Sequence, residues 1–347
     1  MRTWTIGFVN YYTTCYMEHQ LKMLYEFNDP KKFQLIVVDN SSNLNEFNKL
    51  NNICNPYIKE FNNIKIIDYK PQCTTASGQH GEGVDLITKH IKTKYFLIQD
   101  PDFFWLRKEY LKWLEKLLQY NDAVGAPYDC KMLNGQEYFP SAFGCAYNFK
   151  KIIGISFSAY INNDIEYSNK KFSELNSNKK VFGYCYDVGW QIRLHLSQKN
   201  SDDNFLTFEQ TSIKNKLCEF MELKTPYCHH TNTFVYTHNG KIVAAHLYRG
   251  SVIGKSEKNS KKRIDTNKMY VTRNYISKFM YKQIKSDCKD LDNILYETKN
   301  PKENTNILDQ NTLMYIILYK CKKNKLLRLL LPIKRLIVHL FYRVDKK

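Results

Sequence analysis

The sequence contains 10 cysteines but no Cys-x-x-Cys pair and no regular cysteine spacing. This scatter is not typical of a disulfide framework, so we expect free thiols in a reducing cytoplasm. No run of 18 uninterrupted apolar residues is present, so we expect no ordinary transmembrane helix. Residues 1–4 lead directly into a strand-like run without a longer apolar segment, and we therefore expect no signal peptide.

Acidic residues are scarce relative to basic ones, with 34 Asp and Glu against 52 Lys and Arg and a formal net charge of +18. Such a surface attracts anionic partners, which include nucleic acid, anionic lipid and phosphorylated substrates. An apolar content of 43% with 26 Tyr and 20 Phe excludes a disordered chain and predicts a sizeable core. The 347 residues allow one large domain with an appendage, or two domains.

Apolar runs of strand length alternate with helical patterns over about the first 125 residues. The pattern predicts strands at 5–9, 33–42, 64–69, 95–102, 123–126, 142–148 and 233–237, and helices at 17–27, 83–92 and 108–120. Alternation of this kind predicts an α/β fold with a mostly parallel sheet and helices on both of its faces. Ligands bind at the carboxyl ends of the strands in such sheets.

The fourth predicted strand runs directly into two carboxylates, Asp100 and Asp102, with Pro101 between them. Residues i and i+2 of a strand face the same side, so both carboxylates can reach one hard cation such as Mg²⁺ or Mn²⁺. Asp-Pro-Asp is also a favourable turn sequence, and a turn without a ligand stays open as the alternative.

Composition changes sharply at 254–268, a Gly/Lys/Ser/Asn-rich basic segment that we interpret as a linker. It would end a domain of residues 1–253 and begin a basic helical extension over 269–347. In the last segment, 312–347, leucines and isoleucines are interleaved with lysines and arginines. Such a helix can lie in a membrane interface with its cations on anionic head groups, or it can cap the protein core with a solvated basic face.

Three segments, in order, resemble the GT-A-fold family 2 glycosyltransferases. They are Ile-Gly-Phe-Val-Asn-Tyr at 6–11, Leu-Ile-Val-Val-Asp-Asn-Ser-Ser at 35–42 and Phe-Leu-Ile-Gln-Asp-Pro-Asp at 96–102. The resemblance covers about residues 5–249. It implies a GT-A-like sheet with a nucleotide-sugar-binding half at 1–125 and an acceptor half at 126–253. It also implies a metal-dependent, inverting hexosyl transfer from a nucleoside-diphosphate-sugar to a hydroxyl of a glycan or lipid-linked acceptor.

The resemblance also implies a donor site. Asp39 would hydrogen-bond the base or ribose, and Asn10 and Tyr11 would line the same nucleotide pocket. The alternative for Asp39 is a turn carboxylate that caps the next helix. Asp100 would approach the ribose or the water shell of the metal, and Asp102 would ligate the Mn²⁺ or Mg²⁺ that bridges the diphosphate.

An inverting transfer needs a general base within reach of the acceptor hydroxyl. Asp187 resembles the acidic residue that the family places at the start of an acceptor-side helix, although a lone Asp at this position is also typical of an N-cap. Trp190, close to it in the sequence, could stack on an acceptor sugar or lie in the core.

Two histidines complete the predicted site. His246 resembles the further metal ligand of many GT-A enzymes, with Arg249 as a clamp on the diphosphate, although a lone His is often structural. The glycine-containing segment 77–83 lacks the lysine of a P-loop and the Rossmann spacing, so we predict a loop bordering the donor pocket, where His80 touches the donor.

Two alternatives stay open: a nucleotidyltransferase with the same metal carboxylates, and a non-catalytic basic protein that binds nucleic acid or membrane. Residues 7–16 contain one glycine and neither Arg nor Lys, which disfavours the first. Basic residues concentrate after 255 whereas the carboxylates of interest precede 190, which disfavours the second. We therefore expect no nucleic-acid partner, and a cytoplasmic enzyme held peripherally on the anionic inner face of the cell membrane through its C-terminal helices. It would act in bacterial surface polysaccharide or lipooligosaccharide synthesis.

Overall fold

The computed structural model describes residues 2–127, 140–161, 164, 166, 170, 188–199, 205–213, 216–221, 232–248 and 266–299. The candidate base Asp187 and the candidate clamp Arg249 lie outside the described residues. The basic segment up to 265 and the C-terminal range 300–347 also lie outside them.

The described strands are β1 Trp4–Asn10, β2 Phe33–Asp39, β3 Ile64–Asp68, β4 Tyr95–Gln99, β5 Phe103–Trp105, β6 Ala123–Pro127, β7 Pro140–Asn148, β8 Phe205–Thr207, β9 Glu209–Ser212, β10 Asn232–His238 and β11 Lys241–Tyr248. Within the described residues, seven of them form one sheet in the order β3-β2-β1-β4-β7-β6-β8. Only β7 runs antiparallel to its neighbours there. The prediction of a mostly parallel sheet is confirmed. A smaller antiparallel sheet has the order β5-β11-β10-β9.

The described helices are α1 Thr14–Phe27, α2 Leu44–Phe61, α3 Ala76–Thr88, α4 Tyr110–Leu117, α5 Trp190–Lys199, α6 Lys216–Phe220, α7 Thr266–Lys285 and α8 Lys289–Lys299, with 3-10 turns at Pro30–Lys32 and Phe149–Lys151. Alternate residues of β1 and β2 face opposite helix layers. Phe8 and Val37 belong to a core cluster with α1, α2 and α4, whereas Val9 and Val38 belong to one with α3 and α5. The large sheet is therefore covered by helices on both faces, as the sequence pattern predicts.

Helices α7 and α8 pack on the small sheet and α1. Ile276 and Met280 of α7 and Leu291 of α8 are buried in one cluster with Tyr16 and Val235. The first compact unit of the chain accordingly spans Met1–Thr298, and Lys299–Lys347 forms the second. The apolar faces of these two helices are thus buried in the first unit.

The segment 77–83 was predicted to be a loop, and this prediction is wrong, since it forms most of the first two turns of α3. Thr75 caps the helix by accepting a hydrogen bond from the Gly78 N–H at 3.1 Å. Glycine at position 81 allows α3 to pack closely against the backbone of residues 157–159. A Cβ on Gly81 would stand 2.7 Å from the Cα of Ser158.

No helix in the described ranges is long and apolar enough to cross a membrane. Five cysteines with described surroundings are free thiols in buried positions, namely Cys15, Cys54, Cys73, Cys145 and Cys288. Burial raises the pKa of the Cys54 and Cys288 thiols to about 12, so both are protonated at neutral pH.

Candidate functional site

Asp100 and Asp102 lie on a tight turn between β4 and β5. The strand ends at Gln99, so the expectation that both carboxylates belong to a strand is wrong. The N–H of Phe103 donates to the carbonyl of Asp100 at 3.0 Å, with Pro101 in the second position of the turn, where proline is favoured. The turn interpretation of Asp-Pro-Asp therefore holds, and the turn still brings both carboxylates to the carboxyl end of β4.

Two buried glutamines fix this turn. The amide of Gln20, from α1, donates to the carbonyls of Pro101 at 2.9 Å and Phe103 at 2.6 Å. Gln99 donates to Gln20 at 3.1 Å and accepts from the Trp105 indole at 2.9 Å. Gln20 was not predicted as a residue of the site. The available signal was an amide on the apolar face of α1, three residues after the buried Met17.

The register of the small sheet brings His246 to the two aspartates. His246 of β11 is the pairing partner of Phe103 in β5. Its Nε2 lies 3.4 Å from Oδ1 of Asp102 and 3.9 Å from Oδ2 of Asp100. Side-chain exposure is 4% for His246 and 5% for Asp102 but 27% for Asp100. Asp100 therefore presents the solvent-facing side of the group.

Two phenyl rings orient the His246 imidazole. The Phe143 ring stacks on it with centroids 4.5 Å apart and planes inclined by 23°. The Phe103 ring lies at 5.8 Å. With rings against it, the imidazole has little freedom to rotate away from the carboxylates.

The three side chains fit a divalent cation. One donor atom from each of Asp100, Asp102 and His246 can be chosen so that all lie within 4.8 Å of one another. Carboxylate oxygens suit Mg²⁺ and Mn²⁺, and the imidazole adds a preference for a transition metal. Three protein ligands leave the remaining coordination positions of a six-coordinate ion to water and substrate oxygens.

His80 lies beside the same carboxylates. From α3, its Nε2 comes within 3.5 Å of Oδ1 of Asp100, and its side chain is 24% exposed. It therefore flanks Asp100 on the side away from His246, which approaches the other carboxylate oxygen.

Asn10 and Asp39 form a buried pair at the adjacent strand ends. They are partners in the β1–β2 register, and the Asn10 amide donates to Asp39 Oδ1 at 2.6 Å. The Ser41 hydroxyl donates to Asp39 Oδ2 at 2.7 Å. Burial raises the pKa of the Asp39 carboxyl, and these two hydrogen bonds oppose that rise. Helix α2 is capped by Asn43, which accepts from two backbone N–H groups, so Asp39 is not its cap.

Tyr11 and Tyr12 follow β1 directly, with their rings in an edge-on contact at 5.0 Å. The Tyr12 ring is 45% exposed. Because β1 lies between β2 and β4, this turn stands at the same sheet edge as Asp39 and Asp100. The ends of β1, β2 and β4 therefore bring Tyr11, Asp39 and Asp100 to one edge.

Trp190 is the first residue of α5, and its indole N–H donates to the Ala159 carbonyl at 2.9 Å. The next residue, Gln191, lines a cavity of about 450 Å³ together with Tyr69, Asp85 and Tyr160. Burial raises the pKa of the Asp85 carboxyl, which accepts hydrogen bonds from Ser156 and the Phe157 backbone. The first turn of α5 thus borders a polar cavity with two tyrosines in its wall.

No protein-family model matches the sequence, and a search of curated proteins finds no match. Among solved structures, the chain is similar to the mannosyltransferase PcManGT from Pyrobaculum calidifontis in complex with GDP-Man and Mn²⁺, at 10% identity and a TM-score of 0.40, over 100% of this chain and 89% of that chain. The galactosyltransferase LgtC, in complex with donor and acceptor sugar analogues, matches at 14% identity and a TM-score of 0.38, over 59% of this chain and 73% of that one.

A third solved structure of similar shape is 4-diphosphocytidyl-2C-methyl-D-erythritol synthase from Anaerococcus prevotii. It matches at 11% identity and a TM-score of 0.34, over 59% of this chain and 88% of that chain. All three TM-scores lie below 0.5, so these similarities in shape do not establish a function for this chain.

Proposed function

We propose that the protein is a metal-dependent glycosyltransferase that takes a sugar from a nucleoside-diphosphate-sugar. The observation that carries this proposal is the placement of Asp100, Asp102 and His246 at the same sheet edge as the buried Asn10–Asp39 pair. A cation site beside a second polar site on the adjoining strands suits a ligand with a diphosphate next to a nucleoside.

Asp102 and His246 would hold the cation from the buried side, and Asp100 from the solvent-facing side. When bound, Mn²⁺ or Mg²⁺ neutralises the negative charge that develops on the departing nucleoside diphosphate. Asn10, Asp39 and the Tyr11 turn would receive the nucleoside at the ends of β1 and β2.

Asp187 would take the proton of the acceptor hydroxyl as its oxygen attacks the anomeric carbon from the face opposite the leaving group. The bond from that carbon to the diphosphate oxygen breaks in the same step, so the configuration inverts. Arg249 would add a positive charge at the diphosphate. These two roles rest on the sequence resemblance alone.

The acceptor would be a glycan or a lipid-linked saccharide. A cavity of about 450 Å³ walled by tyrosines, amides and carboxylates suits a polyhydroxylated ligand, and Gln191, which follows Trp190 in α5, lines it. The net charge of +18 and the basic segments after 255 support a peripheral position on an anionic inner membrane face. Synthesis of a bacterial surface polysaccharide or lipooligosaccharide would suit that position.

Product analysis tests this proposal. The protein is incubated with Mn²⁺ and each of a panel of nucleotide-sugars, and separately with nucleoside triphosphates and sugar phosphates. We expect slow release of a nucleoside diphosphate from one nucleotide-sugar, and its loss in Asp102→Asn. Release of pyrophosphate from a triphosphate would instead establish a nucleotidyltransferase, and release of neither would contradict an enzyme of either class.

A further inference from the structure

Arg273 of α7 reaches the turn that follows β1. Its Nη1 donates to the carbonyl of Tyr12 at 3.3 Å and lies 4.0 Å from the Sγ of Cys15. Its guanidinium carbon is 5.5 Å from the centroid of the Tyr16 ring, in cation–π range. A residue from a helix that the sequence places beyond the catalytic domain therefore contacts the candidate donor loop.

The backbone that Arg273 contacts has an unfavourable conformation. Tyr12 has a φ of +55°, in the left-handed region that non-glycine residues rarely adopt. Such a conformation persists only where the surroundings hold it. The Tyr12 hydroxyl donates weakly to the Ser41 carbonyl at 3.5 Å, and the Tyr11 ring packs edge-on against the Tyr12 ring. The bond from Arg273 holds the Tyr12 carbonyl itself, and the Thr13 N–H next to it donates to Asn10 Oδ1 at 3.2 Å.

Helix α7, which carries Arg273, is packed firmly on α1. Ile276 and Met280 are buried in one cluster with Tyr16 of α1. At the same interface, His19 and Asn274 are hydrogen-bonded at 2.8 Å, and Lys285 forms an ion pair with Glu26 at 3.0 Å. The position of the guanidinium is therefore set by the packing of α7 on α1.

The turn and the guanidinium both belong to the surroundings of the candidate site. Asn10, the partner of Asp39, precedes the Tyr11–Tyr12 turn directly. Asp102 is one of the groups whose charge acts on Arg273. Arg273 thus contacts the turn that follows Asn10, and its charge interacts with that of Asp102.

We propose that Arg273 is a positioning residue of the donor site, which holds the Tyr11–Tyr12 turn in the conformation that receives the nucleoside. This inference rests on the proposed function for the identity of the ligand, a nucleoside-diphosphate-sugar. Arginine suits the position because a planar guanidinium can lie against the Tyr16 ring while donating to a carbonyl, and a lysine ammonium is a poor substitute for both contacts.

Removal of Arg273 changes the affinity for the donor and the affinity for the metal ion in opposite directions. Donor affinity falls because the turn is released. Metal affinity does not fall, and it rises slightly, because a cation near Asp102 opposes the binding of a second cation. General destabilisation of the fold would weaken both, so the pair of affinities separates a positioning role from a merely structural one.

The test compares Arg273→Lys and Arg273→Ala with two control variants. Lys278→Ala removes an exposed charge from α7, and Ile294→Ala removes buried packing from α8. Donor affinity is measured by calorimetry at saturating Mn²⁺, and Mn²⁺ affinity without donor by electron paramagnetic resonance. We expect the donor Kd to rise about tenfold in both Arg273 variants, with an unchanged or lower Mn²⁺ Kd and no such change in either control.

Hydrogen exchange of residues 11–16 without ligand gives a readout that does not depend on the donor. We expect faster exchange there in both Arg273 variants than in Lys278→Ala. Unchanged exchange, or an equal loss of both affinities in Arg273→Ala and Ile294→Ala, would overturn the inference. If the wild type binds no nucleotide-sugar, the proposed function fails, and the exchange experiment still decides whether Arg273 holds the turn.

Discussion

The imidazole of His246 lies 3.4 Å from the carboxylate of Asp102 because β11 pairs with β5, the short strand that begins immediately after Asp102. The N–H of Leu247 also donates to the Asp102 carbonyl at 3.1 Å, which fixes the two backbones against each other. The candidate metal group is thus made where the small sheet joins the carboxyl edge of the large one.

Phe143→Leu should weaken Mn²⁺ binding, because it removes the ring that stacks on His246 at 4.5 Å. We expect the Kd to rise several-fold, since the imidazole gains rotational freedom that metal binding must then remove. Phe149→Leu is the matched control, because this ring packs on Phe96 in a different core cluster. Equal Mn²⁺ affinities in the two variants, measured by calorimetry, would argue against an orienting role for Phe143.

Asp39→Asn should lower donor affinity without lowering stability at neutral pH. Burial raises the pKa of the Asp39 carboxyl above its ordinary value of about 3.9, so the native state binds this proton more tightly than the unfolded state. The stabilisation from this proton is present at low pH and is lost as pH rises through the native pKa. The variant should therefore gain stability relative to the wild type between about pH 4 and pH 7.

Denaturant unfolding at the two pH values, combined with donor titration, checks both parts of this prediction. Asp68→Asn is a suitable control, because Asp68 is the exposed register partner of Asp39 in β3. A variant at Asp39 that loses stability relative to the wild type as pH rises would contradict the assigned sign. Donor affinity equal to that of the wild type would remove Asp39 from the nucleoside pocket.

Asp187→Asn should leave donor binding nearly unchanged and lower kcat by orders of magnitude, as expected when a general base is lost. Donor Kd from calorimetry and turnover from nucleoside-diphosphate release separate the two quantities. A parallel loss of donor affinity would show that Asp187 binds the donor instead. Normal turnover with intact donor binding would leave the N-cap as its function.

Deletion of residues 311–347 should release the protein from anionic vesicles, because this segment interleaves apolar and basic side chains. The deletion leaves the compact unit Met1–Thr298 complete, so its melting temperature should change little. Sedimentation with vesicles of anionic and of zwitterionic lipid measures the binding. A truncated protein that still sediments with anionic vesicles would contradict attachment through this segment.

Strand positions and the candidate carboxylates were predictable because burial and alternation leave a direct mark on the sequence. The apolar run before Asp100 and the ends of β1 and β2 follow from composition alone. The contact between His246 and Asp102 depends on the register of β11 against β5. This register depends on both strands, which are far apart in the sequence, and it cannot be predicted from either strand alone. Only the family resemblance pointed to His246.

Three features escaped prediction for physical reasons. Helix α2 was not assigned because its many asparagines and the internal Pro56 are more typical of a loop, although the buried Glu46, Leu50 and Cys54 recur every four residues. The first half of α3 was mistaken for a loop because its glycines, which permit close packing, also typify turns, whereas a helix was predicted from residue 83 onward. The role of α7 was hidden because a basic amphipathic helix has the same pattern whether its apolar face meets lipid or protein.

A thermal-shift titration tests the central claim most directly, since a ligand that binds only the native state raises the melting temperature. UDP-, GDP-, dTDP- and CMP-sugars are compared with and without Mn²⁺, for the wild type and for Asp102→Asn. We predict a rise in melting temperature that requires one of the nucleotide-sugars together with Mn²⁺. This rise should be absent in Asp102→Asn, which should melt like the wild type when no ligand is present. A wild type that no donor stabilises, with or without Mn²⁺, would contradict the account.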